Sequence, residues 1–277
     1  MKNKKLLDII VVGFALFSMF FGAGNLLFPP YLGLVSGKNW GISLSGFILT
    51  DIILAIVVII AAAKANGDLD VILKRAGKKL ARFMGVASIL CIGPLLAIPR
   101  TAATTYEMGI APIVGVQETW LAVLVSVVFF GITLILTIRP SKVVDIVGKF
   151  LTPALLICLG VLIVVGIVSP IGDVSQTALI DKNLFAEGVS QGYLTLDTLA
   201  SAAFATVVIS SIYERGYSDP NEKVKLTIQS GIVAGIVLGV IYAGLTYLGS
   251  TLSTLYSPDT PQASLMVVNK FITRWTW

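Results

Sequence analysis

The sequence predicts an all-α polytopic membrane protein, and three observations carry that prediction. Hydrophobic residues make up 56% of the chain and charged residues only 13%, with a mean hydropathy of +0.92, whereas soluble domains carry about 25% charged residues. The apolar residues gather in seven runs, 6–32, 40–63, 83–111, 118–138, 143–168, 191–213 and 224–252, each long enough to cross a bilayer as a helix, which takes about 20 mainly apolar residues. The basic residues sit in short clusters between the runs, fifteen of the twenty on one side.

Composition also excludes function classes. The chain has no histidine, and its two cysteines, Cys91 and Cys158, lie inside apolar runs. A disulfide framework and a histidine-based metal or catalytic centre therefore have no raw material, and no enzyme chemistry presents itself. The net charge of +5 invites a nucleic-acid reading, but membrane topology accounts for where the basic residues fall, so no nucleic-acid partner is expected.

The first run begins behind Met1-Lys2-Asn3-Lys4-Lys5, like the basic end of a signal peptide, and Phe21-Gly22-Ala23-Gly24 resembles a small-residue cleavage site. Leu26, Leu27 and Phe28 continue the run beyond that point, as a retained span would. A helix from Leu6 to Leu32 would be about 40 Å long, which puts Gly22-Ala23-Gly24-Asn25 past its middle and Pro29-Pro30 near its end. Unpaired backbone facing lipid costs several kcal/mol per group, so a broken helix survives only where protein buries it or a cavity adjoins it. A break here predicts a binding site, with main-chain N–H and C=O groups offered at two half-helix ends. The competing reading is Gly-x-Gly as a close-packing face with Pro29-Pro30 ending the helix.

In the second span Asp51 interrupts apolar sequence with no basic neighbour, so it is expected to be protonated or paired in space. The third span carries Pro94, Pro99 and a polar stripe, Arg100, Thr101, Thr104 and Glu107. Arg100 and Glu107, two turns apart on one face, are candidates for gating or coupling along an aqueous path; buried glue of a helix bundle is the alternative. Spans four and five are plain apolar helices. The connection 169–190 is polar and external, with room for a short surface helix. The sixth span holds Thr195, Asp197, Thr198, Ser201, Thr206, Ser210 and Ser211 but no Gly or Pro between Leu194 and Tyr213; Asp197 is a candidate for ion coupling or external gating, or else an interfacial carboxylate. The positive-inside rule puts the N-terminus in the cytoplasm and residues 253–277 outside, as a tail or the start of an eighth span. Ser264–Ile272 is too short to cross alone.

Three stretches, FSMFFGAGNLLFPPYLG, IGPLLAIPRTAATTYE and GYLTLDTLASAAFATVV, occur in order and together resemble the bacterial branched-chain amino acid:cation symporters. The resemblance covers about residues 6–270. It implies a leucine-transporter-like fold of two inverted five-helix repeats, here the first repeat plus part of the second, and hence a chain truncated at its C-terminal side. It implies uptake of leucine, isoleucine and valine across the bacterial cell membrane with Na⁺ as coupling ion, no other cofactor, and a small-molecule substrate and the lipid bilayer as partners; oligomeric state is left open. Gly22, Ala23, Gly24 and Asn25 match the related carriers' substrate- and sodium-binding stretch, and Thr206, after Phe204-Ala205, matches an ion-binding threonine. The implied Na⁺ site is thus Ala23, Asn25 and Thr206, with Phe204 and Ser210 joining the substrate contacts and the sixth-span break placed at Thr206–Ser211. An arginine that some relatives carry before the aromatic-proline pair is missing: Leu27 precedes Phe28-Pro29. Two other readings stay open: the same fold carrying another small neutral solute, H⁺-coupled through Asp197 or Glu107, and a non-transporting membrane receptor.

Overall fold

The computed structural model of the chain describes residues 2–65, 74, 77–114, 118–138 and 152–255, and the regular elements among them are all helical. The first predicted span is two helices, α1 (Lys2–Phe20) and α2 (Ala23–Ser36). After a 3₁₀ turn at Gly37–Asn39 come α3 (Trp40–Ile48), a π-turn at Leu49–Ile53 and α4 (Leu54–Lys64). The helical path from residue 23 to 64 reads as one 42-residue apolar run, yet it is a hairpin. Asn25 and Asp51 are hydrogen-bonded at 3.3 Å, whereas 26 residues of straight helix would hold them about 39 Å apart. The reversal is at Gly37, whose φ of 51° is left-handed and so suits glycine.

The third span is α5 (Lys78–Leu90) and α6 (Ala97–Thr104), followed by a π-turn at Thr105–Ile110 and the short α7 (Ala111–Val114). A π-turn at Cys91–Leu95 separates α5 from α6, with Gly93 outside helical geometry; Pro94 has no N–H to return to Leu90, which opens the ladder there. α8 (Thr119–Thr137) and α9 (Thr152–Val168) follow. The sixth span is α10 (Leu184–Leu194) and α11 (Asp197–Glu214), bent by 45°. It starts earlier than the expected residue 191 because Asn183 caps α10, its side chain accepting from the Ala186 N–H at 3.0 Å. The connection between the fifth and sixth spans shortens accordingly to 169–183.

The seventh, α12 (Pro220–Ser250), is started by Pro220 in its first turn and by the Asp219 side chain accepting from the Glu222 N–H. It is the central strut: α1, α2, α4 and α9 all pack on it, while α10 lies on α3 and α11 on α4. Phe17, Phe20, Leu32, Phe47, Leu238 and Tyr242 form the middle of the core. The outer surface of α5 and α8 instead turns out large apolar side chains such as Phe83, Ile89 and Ile135, as a face meeting lipid rather than water requires. Four helical runs among the described residues are long and apolar enough to cross a membrane, and the bent pair α10–α11 makes a fifth; counting the 23–64 hairpin as two crossings adds another. Residues 143–151 of the fifth expected span, Arg75, Arg139, Lys142 and Lys149 of the basic clusters, and the tail from 256 with the possible eighth span lie outside the described residues.

Both ends of the bundle are tied. At one end Lys5 pairs with Glu222 at 2.5 Å, and Asp8 takes hydrogen bonds from Arg215 at 2.7 Å and the Tyr217 hydroxyl at 2.9 Å. At the other, the connection after α9 bonds to the end of α2 through Leu179 N–H to Val35 O at 2.8 Å and Lys38 N–H to Ser175 O at 2.9 Å.

Candidate functional site

Within the first and sixth spans the helical path breaks at Phe21–Gly22 and at Thr195–Leu196, and Arg100 lies beside both segments. At the first, Gly22 is extended and its N–H donates to Asn25 Oδ1 at 3.1 Å. The helix does not stop at the prolines: α2 runs through Pro29 and Pro30 to Ser36, so the reading in which they end it is corrected. Neither proline can donate to the carbonyls of Asn25 and Leu26 four residues back, and the opening N–H groups of α2 have no helical acceptor.

The second break is a correction to the expected position. Residues 206–211 are uninterrupted helix, and the chain leaves helical geometry at Thr195–Leu196 instead. Among the described residues Leu196 is the only non-glycine with positive φ, at 72°, a conformation that costs an L-residue about 1–2 kcal/mol. Local and distant bonds offset that cost. The Thr195 hydroxyl donates to Gly192 O at 2.7 Å and accepts from the Asp197 N–H at 3.3 Å. Arg100, from α6, donates to the freed carbonyls of Leu194 at 2.6 Å and Thr195 at 2.9 Å, a cation at the negative end of a helix.

The same guanidinium lies 5.8 Å from the centroid of the Phe28 ring, a cation–π distance. It fits because residue 24 is glycine: a Cβ there would come within 3.1 Å of Arg100 Nη2.

Behind the breaks lies a buried polar box. Asn25, at 1% exposure, presents Nδ2 to Asp197 Oδ2 at 2.7 Å, to Asp51 Oδ1 at 3.3 Å and to the Tyr242 hydroxyl at 2.5 Å. Four spans meet here. Asp51 sits in the π-turn between α3 and α4, Asp197 opens α11 and Tyr242 comes from α12. The box is framed by aromatic packing, with the Phe47 ring edge-on to Tyr242 at 5.1 Å and Thr198 Oγ1 donating to Thr50 O at 2.6 Å.

In front of the first break opens a cavity of about 1070 Å³. Its wall takes Phe21, Gly22 and Ala23 from the break, Thr101 and Thr104 from α6, and Leu159 from α9. The remaining lining is predominantly apolar.

The expected site residues therefore separate into groups. Gly22 and Ala23 face the cavity, Gly24 faces Arg100, and Asn25 faces the box. Asp197 joins Asn25. Phe204 packs edge-on to Phe20 at 5.5 Å, beside the end of α1. Thr206 and Ser210 are exposed on α11, and Thr206, nine residues past Asp197, is about 13 Å further along the helix. The triad Ala23, Asn25 and Thr206 is accordingly not assembled, because the break that would bend Thr206 inward falls eleven residues earlier. The polar stripe of the third span also divides: Arg100 reaches the breaks, Thr101 and Thr104 face the cavity, and Glu107 is exposed in the π-turn, which shifts the register of the face. Tyr242 and Thr195 were not singled out by sequence for the site; an aromatic and a threonine in apolar spans carry no signal until their partners are known.

A sequence profile of the family described as branched-chain amino acid transport protein matches residues 5–272. Among curated proteins, the chain is 36% identical over 260 residues to the branched-chain amino acid permease BrnQ of Salmonella typhimurium, covering 94% of this chain and 59% of that protein. It is 36% identical over 253 residues to the branched-chain amino acid permease BraB of Bacillus subtilis, covering 91% and 57%. To the branched-chain amino acid transport system 3 carrier protein of Pseudomonas aeruginosa it is 36% identical over 244 residues, covering 88% and 56%. The chain thus spans under three-fifths of the length of these relatives. They are named as permeases and carriers, not as enzymes. No solved structure matches the chain.

Proposed function

Because the chain belongs to the family of branched-chain amino acid transport proteins, we propose that the protein it represents is a secondary active carrier importing leucine, isoleucine and valine across a bacterial plasma membrane. Import is coupled to Na⁺ and proceeds by alternating access, with the N-terminus in the cytoplasm, an orientation that the clustered basic residues support. The observation that carries the reading is the apolar cavity opening directly onto the main chain of the Phe21–Gly22 break.

A branched-chain amino acid asks for three things: donors for its carboxylate, acceptors for its ammonium and an apolar volume. The N–H groups of Ala23 and Gly24 at the start of α2, on the positive end of the helix dipole, suit the carboxylate. The last carbonyls of α1, on the negative end, suit the ammonium. Leu159, Met108 and Leu26 supply apolar wall. Breaks in both the first and the sixth span, facing one another across Arg100, support two inverted repeats beginning at those spans.

Binding of radiolabelled leucine to the purified chain tests the reading. Isoleucine and valine should compete and lysine and aspartate should not, and Leu159→Trp, which adds bulk to the cavity wall beside the break, should weaken leucine at least tenfold. Equal competition by charged amino acids, or unchanged affinity in Leu159→Trp, would sink it.

A further inference from the structure

Several basic residues near the ends of α1, α11 and α12 have partners: Lys5 takes Glu222, Arg215 takes Asp8, and Lys223 lies 5.7 Å from the centre of the Tyr213 ring. Those at the start of α5 do not. Lys78, Lys79 and Arg82 are all exposed, and no described residue pairs with their charged groups. Sequence offers no acid nearby either, since no Asp or Glu occurs between Asp70 and Glu107. Arg82 stands three residues from Lys79 and four from Lys78, spacings that gather the three cations on one side of the helix.

Below them the same side turns apolar. Lys78, Arg82, Gly85 and Ile89 follow at spacings of four, three and four, which makes one continuous stripe, with Val86 beside it. Val86 and Ile89 are exposed, Ile89 at 71%, and a Cβ at Gly85 would meet nothing within 4 Å, so the stripe is open along its length. From Lys78 to Ile89 is about 16 Å of helix, roughly half of a hydrocarbon layer about 30 Å thick. One end of the stripe thus stands at headgroup level, with Arg82 reaching back to it on its long stem, and the other near the bilayer midplane. Protein leaves it bare: Ala81 is the one buried residue of α5 among those described. α8 is as bare but holds no charged residue, and lipid of any headgroup suits it; α5 adds three unpaired cations to its apolar side.

We propose that α5 is a binding site for one anionic glycerophospholipid, with its phosphate among Lys78, Lys79 and Arg82 and an acyl chain along Gly85, Val86 and Ile89. A zwitterionic lipid cancels its phosphate with its own ammonium, so the cations select a headgroup of net negative charge. The apolar stripe that continues from them is what favours a lipid over a soluble phosphate. The site requires that the chain lie in a bilayer and not that it carry any particular solute.

Native mass spectrometry of the purified chain in detergent tests the site, with phosphatidylglycerol or phosphatidylcholine, each bearing two oleoyl chains, as the titrant. One phosphatidylglycerol should bind at least fivefold more tightly than phosphatidylcholine. Lys79→Gln combined with Arg82→Gln should bring the two lipids within about twofold of one another. Lys38→Gln combined with Lys182→Gln, which removes the same charge from exposed positions elsewhere, should keep the difference. Gly85→Trp, which lays a ring across the stripe, should weaken phosphatidylglycerol several-fold with all three cations in place. Should the Lys79 and Arg82 double variant aggregate, Lys79→Gln alone should still lower the preference for phosphatidylglycerol. Equal binding of the two lipids by the unaltered chain overturns the site. So does an equal loss in the Lys38 and Lys182 variant, which would reduce the effect to net charge, and so does unchanged binding in Gly85→Trp, which would detach the headgroup from the stripe. Displacement of the lipid by inorganic phosphate, beyond that caused by chloride at the same ionic strength, would make the cations a soluble-anion site and overturn it as well.

Discussion

Asn25 Nδ2 lies 2.7 Å from Asp197 Oδ2 across 172 residues of sequence, and this bond joins the segment after the first helix break to the segment after the second. Asn25 also holds the Gly22 N–H, so one amide both closes the first break and anchors the second. Asn25→Ala should leave several buried groups unpaired, at about 1–3 kcal/mol each. A fall in the thermal midpoint of the purified chain larger than that of Ser45→Ala, whose hydroxyl bonds only its own helix, is the expected result.

Arg100 should behave as a clasp. Arg100→Ala frees the carbonyls of Leu194 and Thr195 and leaves Phe28 without its cation. Amide hydrogen exchange across 193–200 should rise at least tenfold, with little change in α12. Arg100→Lys keeps the charge but not the planar two-bond fork and should fall between the two.

Leu196 tests the second break itself. Its positive φ is accessible to glycine without strain, so Leu196→Gly should stay within about 1 kcal/mol of the unaltered protein, the relief offsetting added freedom in the unfolded chain. Leu196→Ile places a β-branched side chain in the left-handed region and should lower the thermal midpoint sharply.

The α2–α12 crossing leaves no space. A Cβ at Gly33 would collide with the Thr246 carbonyl, and one at Gly249 with that of Pro30. Because the obstacle is backbone rather than a movable side chain, Gly33→Ala should cost more than the 1–3 kcal/mol of ordinary overpacking, seen as loss of monodisperse protein after purification.

The tie between Asp8 and Arg215 should matter in proportion to its burial. Asp8 is buried while Arg215 is about one-third exposed, so Arg215→Ala leaves the carboxylate the Tyr217 hydroxyl bond and the more distant charge of Lys4. Proteolysis at the 214–219 turn should accelerate, and raising salt should narrow the difference from the unaltered chain.

The two breaks show how far sequence carries. Gly22 announces the first one because two glycines and a later proline pair interrupt an otherwise unbroken apolar run. The second is silent: Leu196 is an ordinary apolar residue, and what holds it left-handed is a neighbouring hydroxyl and an arginine 96 positions earlier. Asp51 could be read as needing a partner but not which partner, since Asn25, Asp197 and Tyr242 arrive from three other spans. Thr206 resembles a threonine of related carriers in sequence, but it stands exposed on α11 because helical register counts from the break, which lies at Thr195–Leu196. All-helical architecture was legible throughout, since apolar run length alone dictates it.

The strut α12 is 31 residues long, about 46 Å. Its polar first turns, Pro220–Lys225, take up about 9 Å, and the rest exceeds a hydrocarbon layer of about 30 Å unless it tilts by roughly 35°. Tyr242 rides on that slope. Acyl-chain length thereby becomes a mechanical input: a thinner membrane steepens the tilt, and the helices leaning on α12 must follow or let the hydroxyl slide away from Asn25.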